Sequence, residues 1–248
     1  MAIKRQAILI GAPSVNPELP GVRKDIDDFK NFLLSDKGGA WKLHEITTLI
    51  DQSHFVVKSH IDLAQSADYA FILCAGHGEH RVGRNIDETV MYLNEKDTIS
   101  INEVNPKNRR HLVIVDTCRV LVKIKELAME ALAKSELRMD FAEAYIDYRK
   151  VFDDAILNTS EGRIVAYSCD INQAAGDDGS GGVFTQALLS TANRFKPAGY
   201  GKYDIVNISQ AFDVAKEITY AKNAPQSPVF NAGRRCDYFP FCIATQSR

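Results

Sequence analysis

The chain has 248 residues, 45% of them apolar, a formal net charge of −2 and a pI near 6.3. That length and apolar content suit one large domain with a substantial core better than two small ones. Balanced charge without a basic stripe argues against nucleic acid or an anionic membrane as a partner, and five cysteines without scaffold spacing argue against a disulfide framework. Lys4 and Arg5 precede an apolar run at 7–10, but Gly11 and Pro13 end it too soon for a secretion signal. No stretch approaches the roughly 20 apolar residues that span a bilayer. The expectation is a soluble, cytoplasmic protein.

The run 7–10 is continuously apolar between turn residues, as in a strand buried on both faces. A loop through Pro13, Pro17 and Pro20 follows. Val22, Ile26, Phe29, Phe32 and Leu33 then recur at helical spacing up to Gly38 and Gly39. Residues 46–50 read as a second strand, 53–66 as a helix and 69–74 as a third strand. Segments 89–93 and 98–101 flank Asn94, Glu95, Lys96 and Asp97, which predicts a hairpin.

The run 112–115 predicts a fourth strand, ending on Asp116, Thr117, Cys118 and Arg119. Residues 120–157 carry an amphipathic helical pattern. A fifth strand at 164–167 leads through a glycine-rich loop, 176–182, to a helix over 183–192. Another helix is predicted over 208–220. Short strands near 228–230 and 238–243 contain or adjoin prolines, which places them at an edge. Alternating strands and helices, several strands being continuously apolar, predict a largely parallel α/β sandwich.

In such sheets functional residues gather beyond the carboxyl ends of the strands. His77 lies just past the third strand, between Gly76 and Gly78, and Cys118 just past the fourth. Consecutive strands are usually neighbours, so thiol and imidazole are expected on one rim, a pairing suited to covalent acyl transfer. The Gly78 and Cys118 N–H groups can hold an oxyanion. Cys74 and Cys169 fall within strand-like runs and read as core thiols. Cys74, His77 and His80 have a ligand-like spacing, yet Cys74 should face the core while the histidines sit in a loop, so no metal site is assigned. The 176–182 loop lacks the Gly-Lys-Ser/Thr of a nucleotide loop and carries two aspartates, so it reads as substrate-facing or merely flexible. His44, His54, His60 and His111 read as surface or helix-flank residues.

Five ordered segments resemble a known family. Cys74-Ala75-Gly76-His77-Gly78 is similar to a Ser-Gly-His-Gly element, and Val115-Asp116-Thr117-Cys118-Arg119 to an Asp-Ser-Cys-His element. Leu19-Pro20-Gly21-Val22-Arg23-Lys24-Asp25 is similar to the segment after the first strand. The stretches from Tyr167 to Ala175 and from Gly182 to Thr185 are similar to the elements around the fifth. Gln226-Ser227-Pro228 is similar to a Gln-Thr-Pro before the last core strand. Together they resemble caspase-fold cysteine proteases, nearer to metacaspases and bacterial caspase-like peptidases than to animal caspases. Cys118 follows His77 by 41 residues, somewhat short of the roughly 50 of caspases.

The resemblance covers most of residues 3–243 and implies a three-layer sandwich around a mostly parallel sheet of about six strands. It implies one peptidase domain over 1–248, with a helical insertion at about 119–161. It implies that His77 is the general base and acid, Cys118 the nucleophile, and Gly78 and Cys118 the oxyanion donors. Asp25 and Asp116 fall on the positions that make the primary pocket acidic. Two carboxylates in a narrow pocket favour a cationic side chain, hence cleavage after Arg or Lys. Protein substrates, a protein activator or inhibitor, and a role as a regulated effector of bacterial defence or cell death are implied too. Ala75 replaces the family's serine. Lys107, Asn108, Arg109 and Arg110 stand where an acidic calcium cluster would be, so no cofactor or metal is expected. A second reading stands beside the peptidase, a catalytically silent or gated caspase-fold binding or scaffold protein.

Overall fold

The computed structural model describes residues 3–122, 146–177, 179–198, 202–223 and 225–245. In chain order, β1 (Arg5–Ala12), α1 (Gly21–Leu34), β2 (Ile46–Ile50), α2 (His54–Leu63) and β3 (Tyr69–Gly76) form the first half of the sandwich. Three strands follow: β4 (Gly78–Gly83), β5 (Ile86–Tyr92) and β6 (Thr98–Ser100). The chain returns through β7 (Arg110–Thr117) to β8 (Leu121–Val122), α3 (Tyr148–Leu157) and β9 (Gly162–Tyr167). It closes with α4 (Val183–Thr191), β10 (Tyr203–Asn207), α5 (Ile208–Lys222), β11 (Val229–Asn231) and β12 (Pro240–Thr245).

The central sheet has six strands in the order β11-β9-β7-β3-β1-β2, parallel except for β11 at one edge. Strand periodicity explains its two dry faces. Leu9, Phe71, Leu73, Leu112 and Ile114 point into one core, which α1, α3, α4 and α5 cover with Phe29, Phe152, Phe184 and Phe212. Ile8, Ile10, Ile72, Val113 and Val115 point into the other, closed by Val57 and Ile61 of α2 and by Met91, Leu93 and Ile99. The expected three-layer α/β architecture is therefore present.

Three expectations are corrected. Residues 78–83, read as loop, form β4, which pairs antiparallel with β5 and parallel with β8 in a separate four-stranded sheet. Its pattern was hidden because Val82 is its one large apolar residue. Residues 121–122 are strand rather than helix; only 148–157 of the predicted helical stretch is helical here, and 123–145 lie outside the described residues. β12 does not extend the central sheet but pairs with β10 in a two-stranded ribbon.

His111 is also corrected, since it is buried within β7 rather than at the surface. Burial, with the Arg163 guanidinium nearby, lowers its pKa to about 4. The unfolded chain takes up this proton near pH 6.5. Its contribution to stability is thus complete above about pH 6.5 and lost as pH falls toward 4. Between pH 7.5 and 5, urea denaturation should show the unmodified protein losing about 2 kcal/mol relative to His111→Phe, which carries no such proton.

Candidate active site

The parallel register of β3 and β7 pairs Gly76 with Thr117, so His77 and Cys118 each stand one residue beyond a matched pair. Both line one cleft of about 80 Å³, with Gly76, Ala75 and Ala175 beside them. His77 is fixed from two sides. Its Nε2 lies 2.5 Å from the Pro17 carbonyl, and its own carbonyl accepts from Tyr92 N–H at 3.0 Å. A carbonyl can only accept, so Nε2 carries the proton and Nδ1 is left as the basic nitrogen. The Cys118 thiol is half-buried and donates to the Ala175 carbonyl at 3.8 Å. Burial raises its pKa, which keeps it a thiol until a base takes the proton.

The same strand parity that sends Leu112 and Ile114 toward the helices sends Asp116 there too. Its Oδ2 accepts from the Thr185 amide at 3.1 Å and the Thr185 hydroxyl at 2.5 Å. Asp25, on α1, accepts from Gly182 N–H and from Gln186 Nε2, both at 2.8 Å. Both carboxylates therefore meet the N-terminal turn of α4, where unpaired amides and the helix dipole favour negative charge. Both are buried, and burial raises both pKa values, Asp25 well above the carboxylate range with the neighbouring Asp116 adding to the effect. The lack of a side chain at Gly182 makes room for them, because a Cβ there would lie 2.3 Å from Asp116 Oδ2. The cleft is thus lined by two buried carboxyl groups whose hydrogen-bond partners lie on the first turn of α4.

A family model for the caspase domain matches residues 4–238. This chain belongs to the caspase-domain family. The caspase domain also aligns with solved structures, though no curated protein matches its sequence. Caspase-1 from Spodoptera frugiperda shares 13% identity over 93% of this chain and 87% of that one, with a TM-score of 0.58. Protein GSU0716 from Geobacter sulfurreducens shares 17% identity over 99% of this chain and 95% of that one, with a TM-score of 0.57. These likenesses concern the fold.

Within this caspase domain, His77, Cys118, Asp25 and Asp116 all line the cleft. Gly78 begins β4 next to His77 but is not one of the residues that line the cleft; an added Cβ there would strike Thr117 at 2.7 Å. Sequence reading missed several other contributors. Asp177 is a third carboxylate on the cleft wall; its loop was read as substrate-facing or merely flexible, with the aspartate weighed only as repelling phosphate. Pro17 enters through a backbone carbonyl, which no side-chain pattern announces. Gln226 is buried and ties the loop to the sheet, accepting from Gly176 N–H at 3.0 Å and donating to Ser168 O at 2.9 Å. Its Gln-Ser-Pro context was the available signal. His80 is buried on β4, bonded to Thr89 and Asp87, rather than free in a loop. Cys74 and Cys169 are core thiols, as expected.

Proposed function

We propose that this caspase domain is a cysteine endopeptidase that hydrolyses protein substrates after Arg or Lys. The observation that carries the reading is a single cleft with a thiol and an imidazole at its mouth and two buried carboxylates at its floor. A P1 guanidinium or ammonium entering the cavity pairs with Asp25 and Asp116, with a bidentate fork favouring Arg. This places the scissile carbonyl over Cys118.

His77 Nδ1 takes the thiol proton as Sγ attacks the carbonyl carbon. The oxyanion is held by the N–H groups of Gly78 and Cys118. The imidazolium then protonates the leaving amine as the C–N bond breaks, giving a thioester to Cys118. Water, deprotonated by His77, attacks the thioester; the acid departs and the thiol is restored. The Pro17 carbonyl holds the Nε2 proton throughout and stabilises the imidazolium.

The resting contact of the Cys118 thiol with Ala175 O favours a gated form of the same enzyme, in which a protein activator shifts the 173–177 loop. A thiol engaged with a backbone carbonyl is also what the scaffold reading requires. Peptides with Arg, Lys or Asp before a fluorophore distinguish them. Release after Arg and Lys but not Asp is expected; preference for Asp overturns the pocket assignment, and no release under any activating condition favours the scaffold.

A further inference from the structure

The residue after the nucleophile is held by a chain of hydrogen bonds that the peptidase reading does not use. Arg119 is 7% exposed. Its Nε donates to Thr89 Oγ1 at 3.0 Å, and its Nη1 donates to the Cys169 carbonyl at 3.1 Å. Its guanidinium lies 4.1 Å above the Tyr167 ring. Its backbone is gripped as well, with N–H donating to Gln173 O at 2.9 Å and C=O accepting from Asn172 N–H at 2.8 Å. Side chain and backbone of the residue that directly follows Cys118 are therefore both held in place.

The chain continues outward. Thr89 Oγ1 lies 3.1 Å from His80 Nδ1, and His80 Nε2 lies 2.8 Å from Asp87 Oδ1. One assignment satisfies every group. Nε2–H donates to Asp87, the threonine hydroxyl donates to Nδ1, and its oxygen accepts from Arg119. His80 and Thr89 are register partners on β4 and β5 and both are buried, whereas the Asp87 carboxylate is mostly in solvent. Buried networks of this kind hold one geometry because any broken link leaves an unpaired polar group. A lysine at 119 would keep charge but lose the fork and the stacking.

We infer that Arg119 is a positioning residue for Cys118, set in place through Thr89 by His80, so that the β4–β5 hairpin carrying His80 and Thr89 aligns the nucleophile. The inference rests on the proposed peptidase reading for its kinetic readout but not for its chemical one.

The test compares Thr89→Val, which removes the shared hydroxyl at nearly constant volume, with Thr89→Ser, which keeps it, and with Arg119→Lys. In the folded proteins, Thr89→Val and Arg119→Lys should lower kcat on the arginyl peptide about tenfold, the scale set by a sub-ångström misplacement of a reacting group, with KM within twofold. Thr89→Ser should restore kcat. In parallel, the alkylation rate of Cys118 by iodoacetamide is followed by peptide mass spectrometry, with the exposed Cys236 as internal reference. It should fall in Thr89→Val and recover in Thr89→Ser. Unchanged kcat and alkylation in Thr89→Val, or a loss that serine does not rescue, overturns the positioning role. If the unmodified protein cleaves nothing, the peptidase reading fails, and the alkylation ratio alone still decides this one. Should Thr89→Val not fold, Arg119→Lys carries the same comparison.

Discussion

Cys118→Ala is expected to abolish arginyl-peptide cleavage, lowering kcat by at least about 10⁴-fold, since residues acting as one covalent unit lose nearly everything when the nucleophile goes. Stability should barely move. The thiol is half-buried and its one hydrogen bond, to Ala175 O, is long at 3.8 Å. Trading it for a methyl group therefore costs less than about 1 kcal/mol. Matching urea midpoints with absent turnover would separate chemistry from folding, whereas retained turnover would remove Cys118 from the mechanism.

Asp116→Asn should separate specificity from stability in the opposite sense. The asparagine oxygen can still accept from Thr185, so the first turn of α4 keeps its partner. Without the charge, a P1 guanidinium loses one of its two anions in a desolvated cavity. Unpairing such a contact costs about 2–5 kcal/mol, so kcat/KM on arginyl peptides should fall about 30- to 4,000-fold. Melting temperature at pH 7.5 should hold or rise, because burial disfavours the Asp116 charge and that charge in turn disfavours ionisation of Asp25.

The pH profile carries the same signature. Both carboxylates have raised pKa values, so they bind protons above the ordinary carboxylate range, and each proton weakens the hold on a cation. The acid limb of kcat/KM should accordingly lie above that range. In Asp116→Asn it should move to lower pH, because the charge that helps to raise Asp25 is gone. An unshifted limb would assign it to another group.

Much of this site was legible from strand ends. Continuous apolar runs at 69–74 and 112–115 located two buried parallel strands, and the rule that such strands present chemistry at their carboxyl ends drew attention to His77 and Cys118. From the residues alone Asp116 reads as a polar end to its strand; the family resemblance supplied its pocket position, and strand parity is what turns it toward the helices that cover Leu112 and Ile114. Asp25 was legible only through family resemblance. On periodicity alone it is one of three acids on a helix, and its burial depends on α4 packing across it, a contact 157 residues away in sequence. Pro17 and Ala175 act through carbonyls and leave no side-chain trace. β4 escaped because a strand with polar residues on both faces has no period-two apolar signal, and with it went the buried setting of His80 and its link to Arg119.

Covalent capture of the cleft tests the dyad and its pocket together. An arginyl peptide chloromethyl ketone should add one peptidyl-methyl group to Cys118, located by peptide mapping, while leaving Cys236 unmodified. His77→Ala and Asp116→Asn should each slow the labelling sharply. Faster labelling by the aspartyl analogue, or modification of Cys118 at the same rate without His77, would contradict a dyad fed by a cation-selecting pocket.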